Sequence, residues 1–196
     1  MSRLAVRGAS GALALTALLF FGRGVWIYAK ASLAQILLRR AWARTVQGGK
    51  EVRPWPWADT WPVARLRSRR LHEDFIVLAG ASGRTLAFGP GHLDGTADPG
   101  ADGNCVLSAH RDTQFAFLRK LESGDPVELE TPDRRRHIYR VFDRQVVHKR
   151  QVGVLAETPE PTLTLVTCYP FYAVAPGGPL RYVVRAREES VLAAAR

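Results

Sequence analysis

Two patterns of apolar and polar positions divide the chain near residue 62. Before it the spacing is helical and then broken by prolines; after it short apolar runs alternate with turn formers. Residues 8–22 carry no charge and are rich in Ala, Leu and Phe. A helix needs roughly 20 apolar residues to span a bilayer, so this run is short. Arg23 interrupts it, and Val25, Trp26, Ile27 and Tyr28 continue it. An Arg near a helix end extends its charge to the interface, and Trp and Tyr suit that depth. The pattern predicts one transmembrane helix over 8–28, within an anchor spanning 1–30. A cleaved leader is the rival, because Ala29-Lys30-Ala31 has the small-x-small shape of a cleavage site. Bulky Trp26 and Tyr28 stand between that site and the apolar run, so the uncleaved anchor is the preferred reading. Basic residues flank both ends and do not set the orientation.

Over 30–47, Leu33, Ile36, Leu37, Ala41 and Trp42 recur at helical spacing, with Arg39, Arg40 and Arg44 on another face. This is an amphipathic stem lying on lipid or on the following domain, ended by Gly48 and Gly49. Pro54, Pro56 and Pro62 then punctuate Trp55, Trp57 and Trp61, which excludes a regular helix or a central strand. Stem and Trp/Pro segment together occupy 31–62. Beyond them, runs rich in Val, Leu, Phe or Tyr predict strands at 75–79, 85–88, 105–109, 126–130, 137–143, 163–167 and 182–186. Only 114–121 has a helical pattern there, and the Gly/Asp-rich run 89–104 reads as loop. Short strands at regular intervals predict a mostly β domain over 63–190, a closed or nearly closed barrel.

Composition changes this picture little. The chain has 196 residues, 46% apolar and 23% charged, which suits one domain plus an appendage. The net charge of +10 raises nucleic-acid binding. The basic residues, among them Arg65, Arg67, Arg69, Arg70, Arg134, Arg135 and Arg136, are spread out, and no recognition motif accompanies them. A basic surface facing anionic lipid or polymer is the preferred reading. Two cysteines are too few for a disulfide framework, and neither belongs to a zinc-type pair.

Three strand ends carry candidate chemistry. In Thr164-Leu165-Val166-Thr167-Cys168-Tyr169-Pro170 a β-run reaches a cysteine, and the proline prevents its continuation. In Val106-Leu107-Ser108-Ala109-His110-Arg111-Asp112-Thr113 a strand ends at a histidine among turn formers. In Pro179-Leu180-Arg181-Tyr182-Val183-Val184-Arg185 a Gly/Pro loop opens a strand, and alternation puts Arg181, Val183 and Arg185 on one face. Each has a bland reading: a buried small hydrophobe for the cysteine, as Cys105 suggests for itself, and solvated turns for the other two. Together they suit acyl transfer. A thiol attacks as thiolate, which a nearby cation favours. A histidine moves protons to and from amines, and a guanidinium steadies an oxyanion.

These segments resemble the sortases, a family of β-barrel cysteine transpeptidases. Thr164-Leu165-x-Thr167-Cys168 matches the family's nucleophile segment. His110 ends an apolar strand, and Arg181 follows Cys168 by thirteen residues. The likeness covers 75–186, with Ala109 standing where the family often has Gly. The resemblance implies a sortase-type closed barrel of about eight strands with short helices after an N-terminal transmembrane helix. It implies catalytic residues His110, Cys168 and Arg181, with Thr167 supporting the oxyanion, and no cofactor or metal. The expected partners are an exported protein bearing a C-terminal sorting signal, an amine acceptor in the cell envelope, and the membrane through the N-terminal helix, with no nucleic acid. Residues 54–61, 80–84, 88–92 and 110–113 resemble the class from Gram-negative bacteria, which implies a single-pass inner-membrane protein with a periplasmic catalytic domain. Some pilin-building sortases cover their cysteine and arginine with an N-terminal Asp and aromatic residue. Trp57 and Asp59 are the candidates for such a lid here, and simple packing of the Trp/Pro segment is the alternative.

Other readings fare less well. An L,D-transpeptidase would carry a different segment around its cysteine. A metal site from His92, Cys105, His110 and Cys168 fits no familiar ligand spacing. A membrane-tethered, non-enzymatic β-barrel binding module stays as the alternative; it would have no use for a reactive Cys168.

Overall fold

The computed structural model of the chain describes residues 3–173, 175 and 177–189; the side chains of 3–19, 24, 25, 27 and 28 lie outside that description. The chain divides into two units between Leu37 and Leu38. A helix, α1, occupies Arg3–Thr45. Most of the expected span 8–28 lies outside the residues with described side chains, and among the described residues no helix is long and apolar enough to cross a membrane.

In the second unit the end of α1 packs on the domain through Leu38 and Trp42, whereas Leu33 and Ile36 of the expected apolar face are exposed. Leu38 and Trp42 are buried against Ile76 and Leu78, with Val46 and Phe88 packed alongside. Gly48 stops the helix at a φ of 98°, and the N–H groups of Gly48 and Gly49 bond back to the carbonyls of Thr45 and Arg44. Gly adopts this left-handed turn without a Cβ clash.

The rest is an eight-stranded closed barrel of β1 (Pro62–Ser68), β2 (Glu73–Ala79), β3 (Gly91–His92), β4 (Asn104–Ser108), β5 (Pro126–Glu130), β6 (Arg136–His148), β7 (Thr162–Tyr169) and β8 (Leu180–Glu188), in the order β1-β2-β3-β4-β7-β8-β6-β5. β1 closes onto β5, and β4 runs parallel to β7. Inward-facing Leu66, Val77, Leu107, Leu129, Leu163, Leu165 and Val184, together with Cys105, fill the interior.

Three strand expectations need correction. Residues 85–88 form no strand. The Ser82 hydroxyl accepts from the Thr85 N–H at 3.2 Å and starts a helical turn, α2 (Gly83–Leu86), because a capped start outweighs the β-propensity of so short a run. The expected loop 89–104 contains β3, where Gly91 lies so close to the Gly80 backbone that a side chain would collide. β1 went unrecognised because its outward positions are arginines. Those arginines are internally paired: Arg65 with Asp74, Arg67 with Glu128 and Glu130, Arg69 with Glu128, and Arg70 with Asp125. This part of the expected basic surface is therefore neutralised by carboxylates from β2, β5 and the turn before β5. The helical pattern at 114–121 corresponds to a 3₁₀ turn at Ala116–Lys120.

Candidate active site

Cys168 is the penultimate residue of β7, and Arg181 is the second residue of β8. The antiparallel register sets them directly opposite one another. Directly opposed residues on neighbouring strands point to the same side of a sheet, with Cβ atoms about 4.5–5.5 Å apart. That side is the barrel exterior. Leu163, Leu165 and Thr167 face inward, so Cys168 shares the outer face with Val166. On β8, Tyr182, Val184 and Ala186 pack on the core, which leaves Arg181, Val183 and Arg185 together outside, as alternation predicts.

His110 follows the end of β4 by two residues and is exposed. Two bonds fix its approach to the nucleophile strand. The Ala109 N–H donates to the Val166 carbonyl at 3.3 Å, and the Thr167 hydroxyl donates to the Ala109 carbonyl at 2.7 Å. The His110 carbonyl then accepts from the Phe115 N–H at 2.9 Å, which turns the chain into the 3₁₀ segment. The structure thus brings all three expected residues to one rim. It revises Thr167: this side chain is 2% exposed, and its hydroxyl proton is spent on Ala109. It tethers the nucleophile strand to the histidine segment and offers no hydroxyl to an oxyanion.

Arg181 is held over the β7–β8 connection. Its Nη1 donates to the carbonyls of Gly178 at 2.9 Å and Leu180 at 2.8 Å. Among the described residues no carboxylate pairs with it, so its positive charge is not neutralised in place. Asp59, the expected lid carboxylate, instead lies 3.8 Å from Arg84. Trp57 is 83% exposed, while Trp55 meets Phe88 edge-on at 4.8 Å. The resting-state pair between Asp59 and Arg181 is not formed.

A groove of about 230 Å³ opens beside Arg181. Val106 and Ser108 of β4 and Val166 of β7 form its floor; Val147, Val152, Val154 and Leu155 form its far wall, with Lys149 at the rim. Sequence reading missed the residue that fixes this wall. Asn104, 1% exposed, donates both amide hydrogens, at 3.0 Å each, to the carbonyls of Val154 and Ala156, and its Oδ1 accepts from Thr164. A buried Asn opening an apolar strand is the only signal the sequence offered. A second, more open concavity lies just past Cys168, lined by Arg119, Lys120, Tyr169, Phe171 and Tyr172.

Cys105 is chemically distinct from Cys168. It lies inside the barrel, and burial, with a smaller contribution from Asp98, pushes its thiol up to about 12. Both cysteines are free. Among the described residues no three His, Cys, Asp or Glu side chains come together to hold a metal ion. His92 is engaged with the Ala97 carbonyl and the Thr96 hydroxyl. A half-buried thiol, a facing guanidinium and a tethered histidine beside an apolar groove form an arrangement suited to acyl transfer through a thioester.

Comparison with known proteins agrees with this geometry. The sortase domain family matches residues 66–189. Sortase D of Bacillus subtilis is 29% identical over 116 residues, 59% of this chain and 58% of that protein. Sortase A from Corynebacterium diphtheriae superposes with a TM-score of 0.62 at 28% identity, covering 69% of this chain and 64% of the other. The fold also matches a Clostridium perfringens sortase D5 transpeptidase, with a TM-score of 0.65, 22% identity and coverage of 81% and 99%. The chain spans less than two thirds of the length of the first two relatives. On the family match over residues that include His110, Cys168 and Arg181, this chain belongs to the sortase family.

Proposed function

We propose that this protein is a cysteine transpeptidase that cleaves the C-terminal sorting signal of an exported protein and passes the new C-terminus to an amine acceptor. The observation that carries this reading is the register of Cys168 against Arg181, next to a histidine segment bonded to the same strand.

The groove takes the signal, and its apolar floor binds side chains while the scissile carbonyl lies at Cys168. The Cys168 sulfur, its proton held on His110, attacks that carbonyl, and the charge that develops on oxygen is met by the Arg181 guanidinium. Collapse breaks the C–N bond, and His110 supplies the proton that the leaving amine needs. A thioester to Cys168 remains. An incoming amine gives a proton to His110 and attacks the thioester; collapse breaks the C–S bond, expels the Cys168 thiolate and leaves a new amide. No oxidant or cofactor enters this balance.

The segments 54–61 and 110–113 support assignment to the class from Gram-negative bacteria. The uncharged run 8–22 supports a single-pass inner-membrane anchor, and an exported substrate puts the catalytic domain in the periplasm. Protease digestion of intact spheroplasts tests that topology: cleavage of the barrel is expected, and full protection overturns it. The activity itself is tested by incubating the chain with a library of C-terminal peptides carrying a Thr-like residue at the cleavage position. Mass spectrometry should find a thioester adduct on Cys168 and a released amine. Turnover that persists in Cys168→Ala overturns the proposal.

A further inference from the structure

The residue after the histidine is buried and reaches across to the loop between nucleophile and arginine. Arg111 is 9% exposed, although a guanidinium stays charged under all ordinary conditions. Its Nη2 donates to the carbonyls of Ala173 at 2.7 Å and Ala175 at 2.9 Å. Among the described residues Nη1 is buried without a partner, and no carboxylate pairs with the side chain. The two loop carbonyls are therefore the described bonds that offset its burial. The same loop supplies the Gly178 carbonyl to Arg181. A chain of contacts thus runs from Arg111 through the β7–β8 loop to the Arg181 guanidinium.

We infer that Arg111 is a positioning residue: it straps the β7–β8 loop to the His110 segment and so sets where Arg181 stands relative to Cys168. The inference rests on the catalytic roles proposed above. The strap begins beside His110, and the strapped loop starts two residues after Cys168 and ends two residues before Arg181. One side chain therefore links all three segments. Lys cannot replace it fully, because a flexible point charge does not hold two carbonyls in one fixed plane.

The test uses p-nitrophenyl acetate as acyl donor, which acylates Cys168 without knowledge of the sorting signal, in the full chain and four variants. Arg111→Met is expected to slow acylation about 10²-fold, the order expected when a reacting group is displaced by about an ångström. Arg111→Lys should recover part of the rate. In the Arg181→Ala background, Arg111→Met should change the rate by less than about twofold, since residues acting through one another are non-additive. Hydrogen exchange of the peptide carrying Ala173 and Ala175 should rise in Arg111→Lys and Arg111→Met while β4, β7 and β8 stay protected. A full additional loss in the Arg181→Ala background overturns the inference, because Arg111 would then act through general stability. So does an unchanged rate in Arg111→Met, or loss of protection throughout the barrel in both Arg111 variants. Failure of the wild-type chain to acylate at Cys168 overturns the catalytic reading, and the inference with it.

Discussion

The Thr167 hydroxyl donates to the Ala109 carbonyl at 2.7 Å, so the residues preceding the nucleophile and the histidine are bonded to each other inside the barrel. β4 and β7 run parallel only as far as Ser108 and Val166, and this bond extends their link past the end of the ladder. Thr167→Val keeps the shape and removes the donor. It leaves a buried carbonyl unpaired, which costs about 1–3 kcal/mol. Thermal melting should show that loss, and acylation of Cys168 should slow. Thr167→Ser should restore most of both. Damage from Ser with Val nearly neutral would mean that the threonine methyl group, not the hydroxyl, matters.

The two thiols should separate cleanly by reactivity. The thiolate is the nucleophile toward alkylating reagents, and burial keeps Cys105 protonated, with its titration near 12. At pH 8 iodoacetamide should add one label per chain, at Cys168. Cys168→Ala should take up none while folded. A second label on the native chain would show that the barrel opens readily enough to expose β4.

Arg181→Lys should be nearly as damaging as Arg181→Ala. Arg181 bonds the Gly178 and Leu180 carbonyls through Nη1 alone, which leaves the rest of its planar fork uncommitted to them. Lys has one point of charge on a flexible stem and cannot hold those carbonyls and meet an oxyanion at once. Losing an oxyanion donor costs a factor of about 10²–10³ in rate, and burst kinetics would measure it. Near-normal rates in the Lys variant would reduce Arg181 to a source of bulk positive charge.

How much of this was readable from the chain depends on where each residue's partners lie in sequence. β4, β5, β7 and β8 were legible because their alternation is local and their breakers adjacent. The candidate residues His110, Cys168 and Arg181 were named together by resemblance, because Thr164 to Cys168 forms a continuous motif that draws the other two in. β1 was not, because Arg65 and Arg67 look solvated until Asp74, Glu128 and Glu130 are brought beside them by the barrel. Arg111 and Asn104 were missed for the same reason. Their bonds reach backbone carbonyls about 50–60 residues away, and a carbonyl leaves no mark in the sequence. Thr167 was assigned by likeness to an oxyanion role, and only the fold shows its hydroxyl turned inward.

Acid should weaken the β1–β2 hairpin in a defined window. The Arg65 hydrogen bond holds the Asp74 carboxyl below its ordinary value; partial burial opposes this, and the charges of Arg65, Arg67 and Arg39 reinforce it. A depressed folded value means the contribution is complete above the unfolded pKa, about 4, and disappears as pH falls through the lower folded value. Asp74 is 40% exposed, so solvent screening keeps the effect to about 1 kcal/mol or less. Denaturant melts of Asp74→Asn should lie below wild type at pH 7 and approach it as the pH falls below about 4. A constant gap across that range would mean that the carboxylate charge contributes nothing.

The Trp/Pro segment separates packing from gating through two of its tryptophans. Trp55 stands edge-on to Phe88 at 4.8 Å, and Phe88 packs with Leu38, Trp42 and Ile76. Trp57 is 83% exposed and so has little contact to lose. The segment is also pinned by backbone: the Thr60 hydroxyl donates to the Ala79 carbonyl at 2.7 Å, and the Ala79 N–H to the Trp61 carbonyl at 2.9 Å. These bonds hold it against β2, and the Asp59–Arg84 contact, exposed on both sides, adds little. Trp55→Ala should cost about 1–3 kcal/mol, while Trp57→Ala and Asp59→Ala should stay within about 0.5 kcal/mol. None of the three should change the rate at which iodoacetamide labels Cys168. Faster labelling in Asp59→Ala alone would revive a lid that closes over the thiol in solution, with Asp59 leaving Arg84 to do so. Faster labelling in all three would instead mean that the whole segment shields the rim.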